Sequence, residues 1–336
     1  MNMHWKSSPG KLIYVGCIVL FLIAAASLLF PNDTVTFTRL WNVLLGDGDA
    51  AARVILLKVR IPRVLAGIIC GCALAAAGEL LQESLNNNLC SPGIMGINAG
   101  AGVAVLLASL LFPGMLLIRG ISAFIGAMLS AAAVYLIAMK AGFSRSSVIL
   151  SGVAVSSLMT ALINVIVTLR PEVIMDKVSF SLGGLQFVDV RQLAISGIFT
   201  LFGCAAAFLM APGIELFALG DEIAQSLGLP VKQYRAGCVL LSAFLAAAAV
   251  SLCGLLGFVG LIIPNLFRMT GIRQIKYRLL LSCIWGGAFL VLSDFLARVL
   301  FYPYELPAGV LLSCMGTPFF LYILIHRKRE SAYALN

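Results

Sequence analysis

Long apolar runs, each ended by a short polar or charged segment, repeat along this chain from one end to the other. A helix needs about twenty apolar residues to cross a hydrocarbon core about 30 Å thick. The runs predict spans near 12–30, 61–81, 93–112, 115–139, 147–169, 193–212, 236–252, 256–268, 279–300 and 306–325. From Ala236 to Phe267 there is no charge at all. As one helix that stretch would be about 48 Å long, too long for one crossing. Gly254, Gly257 and Gly260 offer a break, and basic residues flank both ends, so two crossings fit better. The pattern predicts an all-α, polytopic membrane protein of about ten transmembrane helices, with residues 1–336 forming a single transmembrane domain.

Ten crossings place both termini on one side, and the positive-inside rule makes that side the cytoplasm. The basic majority inside is narrow, because Arg53, Lys58, Arg60 and Arg63 crowd the outer end of the second span. Two readings of Arg60 and Arg63 stand. They are headgroup anchors, or they recognise the carboxylates of an acidic partner outside, for which paired arginines suit bidentate contact. Arg298 follows Asp294 by four residues, a favourable intrahelical spacing.

Two non-membrane segments have internal structure. Residues 170–192 predict a short interfacial helix and a turn at Gly183-Gly184 outside. Residues 213–235 predict a helix inside, broken at Gly228-Leu229-Pro230. In the latter, Leu216, Leu219, Ile223 and Leu227 form a stripe at helical spacing. Glu215, Asp221 and Glu222 beside it argue against attraction to anionic lipid, so the segment is expected to dock a cytoplasmic protein. Residues 59–102 carry two arginines around a proline, a helix rich in small residues and an amide-rich turn. Ser91-Pro92-Gly93 then starts a new helix.

Composition closes off other classes. With 61% hydrophobic residues, 11% charged and a mean hydropathy of +1.04, no soluble catalytic domain is expected. The basic start (Lys6, Lys11) and the alanines near Ser27 resemble a signal peptide, but the run to Phe30 reads as an uncleaved first helix. Nine cysteines include no CxxC pair, and the histidines are His4 and His326. The cysteines read as small buried hydrophobes, and no metal site is expected. Gly93, Gly96, Gly100 and Gly102 lack a phosphate-loop lysine and read as close helix packing, like Gly67 and Gly71, so no ATP binds this chain. Glu79 is the main intramembrane charge. No acid or histidine relay follows it across the bilayer, which favours an externally powered permease over an ion-coupled secondary carrier.

These residues resemble a known family, the FecCD permeases of binding-protein-dependent ABC importers for iron chelates, haem and cobalamin. The matching stretches are Arg60-Ile61-Pro62-Arg63 through Gly67, Asn87 through Gly93 with Gly96, and Leu219-Gly220-Asp221-Glu222 through Gly228. Further on come Gly257 through Pro264, Asp294 through Arg298, Glu305 through Val310, and Gly316 through Phe320. The chain departs from the pattern at Asn88, Cys90, Phe180 and Asn265. The resemblance implies the type II ABC importer permease fold. It also implies a second permease subunit, two cytoplasmic ABC ATPases and an extracytoplasmic substrate-binding protein. Membrane lipid is the remaining expected partner; a nucleic acid and a cofactor on this chain are not expected. By the same resemblance, Asn87, Asn88, Leu89, Ser146 and Ser147 form the inner gate. Leu219, Gly220, Asp221, Glu222, Leu227 and Gly228 couple to the ATPase, and Arg60, Arg63 and Arg298 dock the binding protein. The expected cargo is a ferric siderophore, with haem and cobalamin as alternatives.

Overall fold

The computed structural model describes residues 8–30, 43, 50–186, 188–217 and 219–333. Lys6 and His4 lie outside the described residues. Within them the chain forms helices and turns, with no strand. In chain order the helices are α1 (Pro9–Leu29), α2 (Ala50–Ser84), α3 (Ile97–Leu111), α4 (Leu116–Lys140), α5 (Arg145–Leu169) and α6 (Ile174–Leu182). They continue with α7 (Val190–Phe217), α8 (Asp221–Ser226), α9 (Val231–Cys253), α10 (Val259–Met269), α11 (Ile275–Val299) and α12 (Ala308–Tyr333).

Each predicted span coincides with one of these helices, but they are not equal. α1, α2, α4, α5, α7, α9 and α11 are long and apolar enough to cross a membrane. α3, α10 and the apolar part of α12 are shorter. The 11 residues of α10 rise about 16 Å, half a hydrocarbon core. Among the described residues, helix length alone supports seven crossings, and the expected ten would need the three shorter helices to cross as well. Three boundaries also move. The expected span at 93–112 begins as a 3-10 turn, Pro92–Met95, closed by Gly96 at φ +73°, and only then becomes α3. The break after α9 runs from Gly254 (φ +70°) to Phe258 (φ +66°), leaving Gly260 inside α10. The single inner helix expected over 214–227 is two pieces, the end of α7 and the separate α8.

Helices α2, α9 and α11 form the centre. In α2, 78% of the apolar window is buried, against 17% in α5 and 11% in α1, so α5 and α1 lie at the periphery. The centre closes through small residues. A Cβ on Gly71 would strike the Gly286 carbonyl, and one on Gly78 the Gly260 carbonyl. Backbone-to-backbone approach of this kind supplies packing where lipid offers no hydrophobic drive. A π-helical turn, Leu56–Arg60, precedes Pro62 within α2 and accommodates the missing proline N–H.

Candidate functional site

The turn after α2 is built by side-chain amides. Asn86 takes φ +45°, the Asn87 N–H donates to the Gln82 carbonyl, and Asn87 Oδ1 accepts from the Leu89 N–H at 3.0 Å. That is an Asx turn, in which the side chain replaces a backbone acceptor. Asn265 of α10 then donates to the Asn88 carbonyl at 2.8 Å and pins the turn to the next element. Ser147 has another task. Its hydroxyl accepts from the Ser144 N–H at 2.8 Å, and Ser144 Oγ accepts from the Ser147 N–H at 3.0 Å, a reciprocal cap on α5. Ser146 beside it stays exposed.

The coupling segment is held at both ends by glycines with left-sided backbones, Gly220 at φ +98° and Gly228 at φ +88°. Between them Ala224 is buried, while Ile223 and Leu227, with Leu219 just before Gly220, stand 52%, 60% and 52% exposed. The apolar stripe thus faces away from the fold, with Glu222 exposed beside it. Glu215 does not join that surface. Its Oε1 accepts from the Ile275 N–H at 2.9 Å and caps α11. Asp221 turns inward: Oδ1 accepts 2.7 Å bonds from Nη2 of both Arg145 and Arg235. Arg235 Nε also donates to the Ser84 carbonyl at 2.8 Å, at the end of α2. Partial burial raises the Asp221 carboxyl, but the bonds from Arg235 and Arg145 outweigh it and hold it below its ordinary value of 3.8.

The three arginines expected to face outward form a folded cluster instead. Arg63 grips Asp294 with Nε and Nη2, each 2.9 Å from a carboxylate oxygen, and reaches Glu305 with Nη1 at 2.8 Å. Arg298 Nε lies 3.4 Å from Asp294, and its Nη2 donates to the Ser27 hydroxyl. Arg60 donates to the Leu28 and Phe30 carbonyls at 2.6 and 2.7 Å. Arg60 and Arg63 are 6% and 7% exposed. Buried guanidiniums need paired acceptors, and this chain supplies them itself, so no free cationic rim remains at these three positions. Glu305, with a side chain 49% exposed, is the partner that faces out.

Glu79 is also paired. Arg278 Nε lies 3.0 Å from it, and the Ser282 hydroxyl donates to it at 3.5 Å. Glu83 bridges Arg278 at 2.6 Å and Arg268. The network joins α2, α10 and α11, and sequence reasoning missed it by treating Arg268 and Arg278 as flanking charges. A carboxylate at each of positions 79 and 83 on one helix face was the available signal.

A bundle of apolar helices, seven of them long enough to cross a membrane, with buried charge neutralised in pairs, is a multi-pass membrane protein. Residues 17–326 match the FecCD transport family, and the chain belongs to it. It is an ABC importer permease. The hemin transport system permease protein HmuU of Yersinia pestis is 30% identical over 334 residues, 98% of this chain and 99% of that one. The Fe(3+)-citrate import system permease proteins YfmD and YfmE of Bacillus subtilis (strain 168) are 32% and 33% identical over 95% and 97% of this chain, covering 96% and 98% of their own lengths. A solved structure described as an inward-facing metal-chelate type ABC transporter superposes with a TM-score of 0.83 at 25% identity, covering 95% of this chain and 99% of that one.

Proposed function

We propose that this chain is one of two permease subunits of an importer that carries a ferric siderophore across the cytoplasmic membrane. The exposed face of α5 carries this reading. Val153, Ser157, Thr160, Asn164 and Thr168 follow one another at steps of three and four, all exposed, and α5 contains no acid, histidine or cysteine. Hydroxyls and an amide let a polar cargo slide past. They include none of the carboxylate, imidazole or thiolate groups that would take iron from its chelator. The names of the relatives, hemin and Fe(3+)-citrate, support an iron-bearing cargo. Haem is the second reading, favoured by the hemin permease that matches nearly the whole chain.

In this reading a second permease, identical or paralogous, covers the α5 face, and the helices make ten crossings with both termini cytoplasmic. Two cytoplasmic ATPases seat on Leu219, Ile223 and Leu227 and hydrolyse the ATP; this chain needs no cofactor for that. The Asn87–Leu89 turn, with Ser146 and Ser147, closes the inner end of the path. A binding protein delivers the chelate at the Arg63–Glu305 end, where Arg60 and Arg298 shape the surface. The test is uptake into proteoliposomes holding this permease with its partner permease, ATPase and binding protein. Radiolabelled ferric siderophore should enter in an ATP-dependent way, and more readily than haem. Haem uptake alone would replace the first reading with the second, and uptake without an ATPase would sink both.

A further inference from the structure

The sequence reading treated all nine cysteines as small hydrophobes, yet three of them meet. Cys72 of α2, Cys204 of α7 and Cys283 of α11 place their Sγ atoms within 4.8 Å of one another. Cys72 and Cys204 stand 3.7 Å apart, Cys204 and Cys283 4.0 Å apart. None of them belongs to the gate turn, the coupling segment, the arginine cluster or the Glu79 network. All three are free thiols, partly buried where α2, α7 and α11 meet.

The spacing matters. A cation bound to thiolates at about 2.3 Å holds its sulfurs about 3.8 Å apart in a tetrahedral site. The two shortest separations in the cluster straddle that value, so little rearrangement is needed to bind. A donor set made only of sulfur selects soft ions such as Cu(I), Zn(II) or Cd(II) and discriminates against ions that prefer oxygen. The site therefore takes a different class of ion from a ferric chelate.

We propose that Cys72, Cys204 and Cys283 form a binding site for one thiophilic cation, which ties α2, α7 and α11 together when it is occupied. For a divalent ion, two sulfurs bind as thiolates: two S–H bonds break and two protons leave to solvent, while the third thiol keeps its proton and hydrogen-bonds a bound thiolate. The product is neutral, which avoids leaving a net charge in an apolar interior. α2 leads into the Asn87 turn and α7 into the coupling segment, so an occupied site joins the two elements that the proposed transport cycle must move. The consequence for transport rests on that functional reading; the binding itself does not.

The test uses the full chain in detergent micelles with a non-thiol reductant, titrated with Cd(II) alone. One equivalent should bind with sulfur-to-cadmium charge-transfer absorption in the ultraviolet. Cys72→Ser, Cys204→Ser and Cys283→Ser should each weaken it by at least about tenfold. The pair Cys17→Ser and Cys314→Ser should leave it unchanged. In the unmutated chain, Cd(II) should protect the three clustered thiols together from maleimide, as mapped by peptide mass, and leave Cys17 reactive. A charge-transfer signal that survives loss of the trio, or protection that does not follow the three together, overturns the site. Transport that continues at the same rate with Cd(II) bound removes the helix-locking role but not the site.

Discussion

Nη2 of Arg145, the first residue of α5, lies 2.7 Å from Oδ1 of Asp221, the first residue of the six-residue helix in the coupling segment. The same oxygen binds Arg235, whose Nε holds the Ser84 carbonyl at the end of α2. One carboxylate therefore connects the exposed Leu219–Leu227 stripe to both turns assigned to the inner gate, Asn87–Leu89 through α2 and Ser146–Ser147 through Arg145. Under the proposed function, a displacement of α8 by a docked ATPase would reach both.

Asp221→Asn should separate ATP hydrolysis from transport. The Asp221 side chain is 41% exposed, so the ion pairs contribute about 1 kcal/mol or less to stability, and the folded protein should persist. Transport per ATP hydrolysed should fall severalfold in proteoliposomes. The pH response follows from the lowered carboxyl. Its contribution is present above the ordinary carboxylate value and is lost only as pH falls through the lower folded value. Coupling should thus show no Asp221-dependent change between about pH 5 and 8. A variant with unchanged transport per ATP would remove Asp221 from the relay.

Leu219→Lys with Ile223→Lys should abolish binding-protein-stimulated ATP hydrolysis. Both side chains are more than half exposed, so membrane levels should match the unaltered protein. Co-purification of the ATPase measures the loss directly; normal recovery would move the docking surface elsewhere.

Cysteine at Leu89, placed in both permease subunits, should crosslink in the closed state and stop uptake. The Asn87 side-chain bond to the Leu89 N–H holds the position in a defined turn. Crosslinking without loss of uptake would show that this turn is not a gate.

The arginine cluster should divide into structural and surface members. Arg63→Ala leaves Asp294 buried without its bidentate partner, a change worth about 3–5 kcal/mol, and thermal unfolding in detergent should shift down accordingly. Glu305→Gln should leave that transition nearly unchanged, since its side chain is half exposed. Binding-protein affinity, measured at two ionic strengths, should respond to Glu305→Gln with altered salt dependence. An identical salt dependence would exclude this face from docking.

How far the sequence alone reached depends on the range over which each feature is determined. Helices at the ten apolar runs, the break near Gly254 and the turn at Gly183 were legible because each is local. In a bilayer a helix satisfies its own backbone, and a glycine at positive φ needs no distant partner. The family was legible for the same reason, through contiguous stretches such as Gly257 to Pro264. The split of the inner helix between Phe217 and Asp221 was hidden by the stripe from Leu216 to Leu227, which keeps helical spacing on both sides of Gly220. Everything that depended on partners far apart in the chain waited for the tertiary structure. Arg63 meets Asp294 across 231 positions, Ser282 meets Glu79 across 203, and Cys72 meets Cys204 across 132. Charge and sulfur at each position are set by the sequence. Whether an arginine faces a partner outside or a carboxylate within is decided by which helices cross beside it, because a charge buried in a low-dielectric interior must be neutralised by whatever lies in contact.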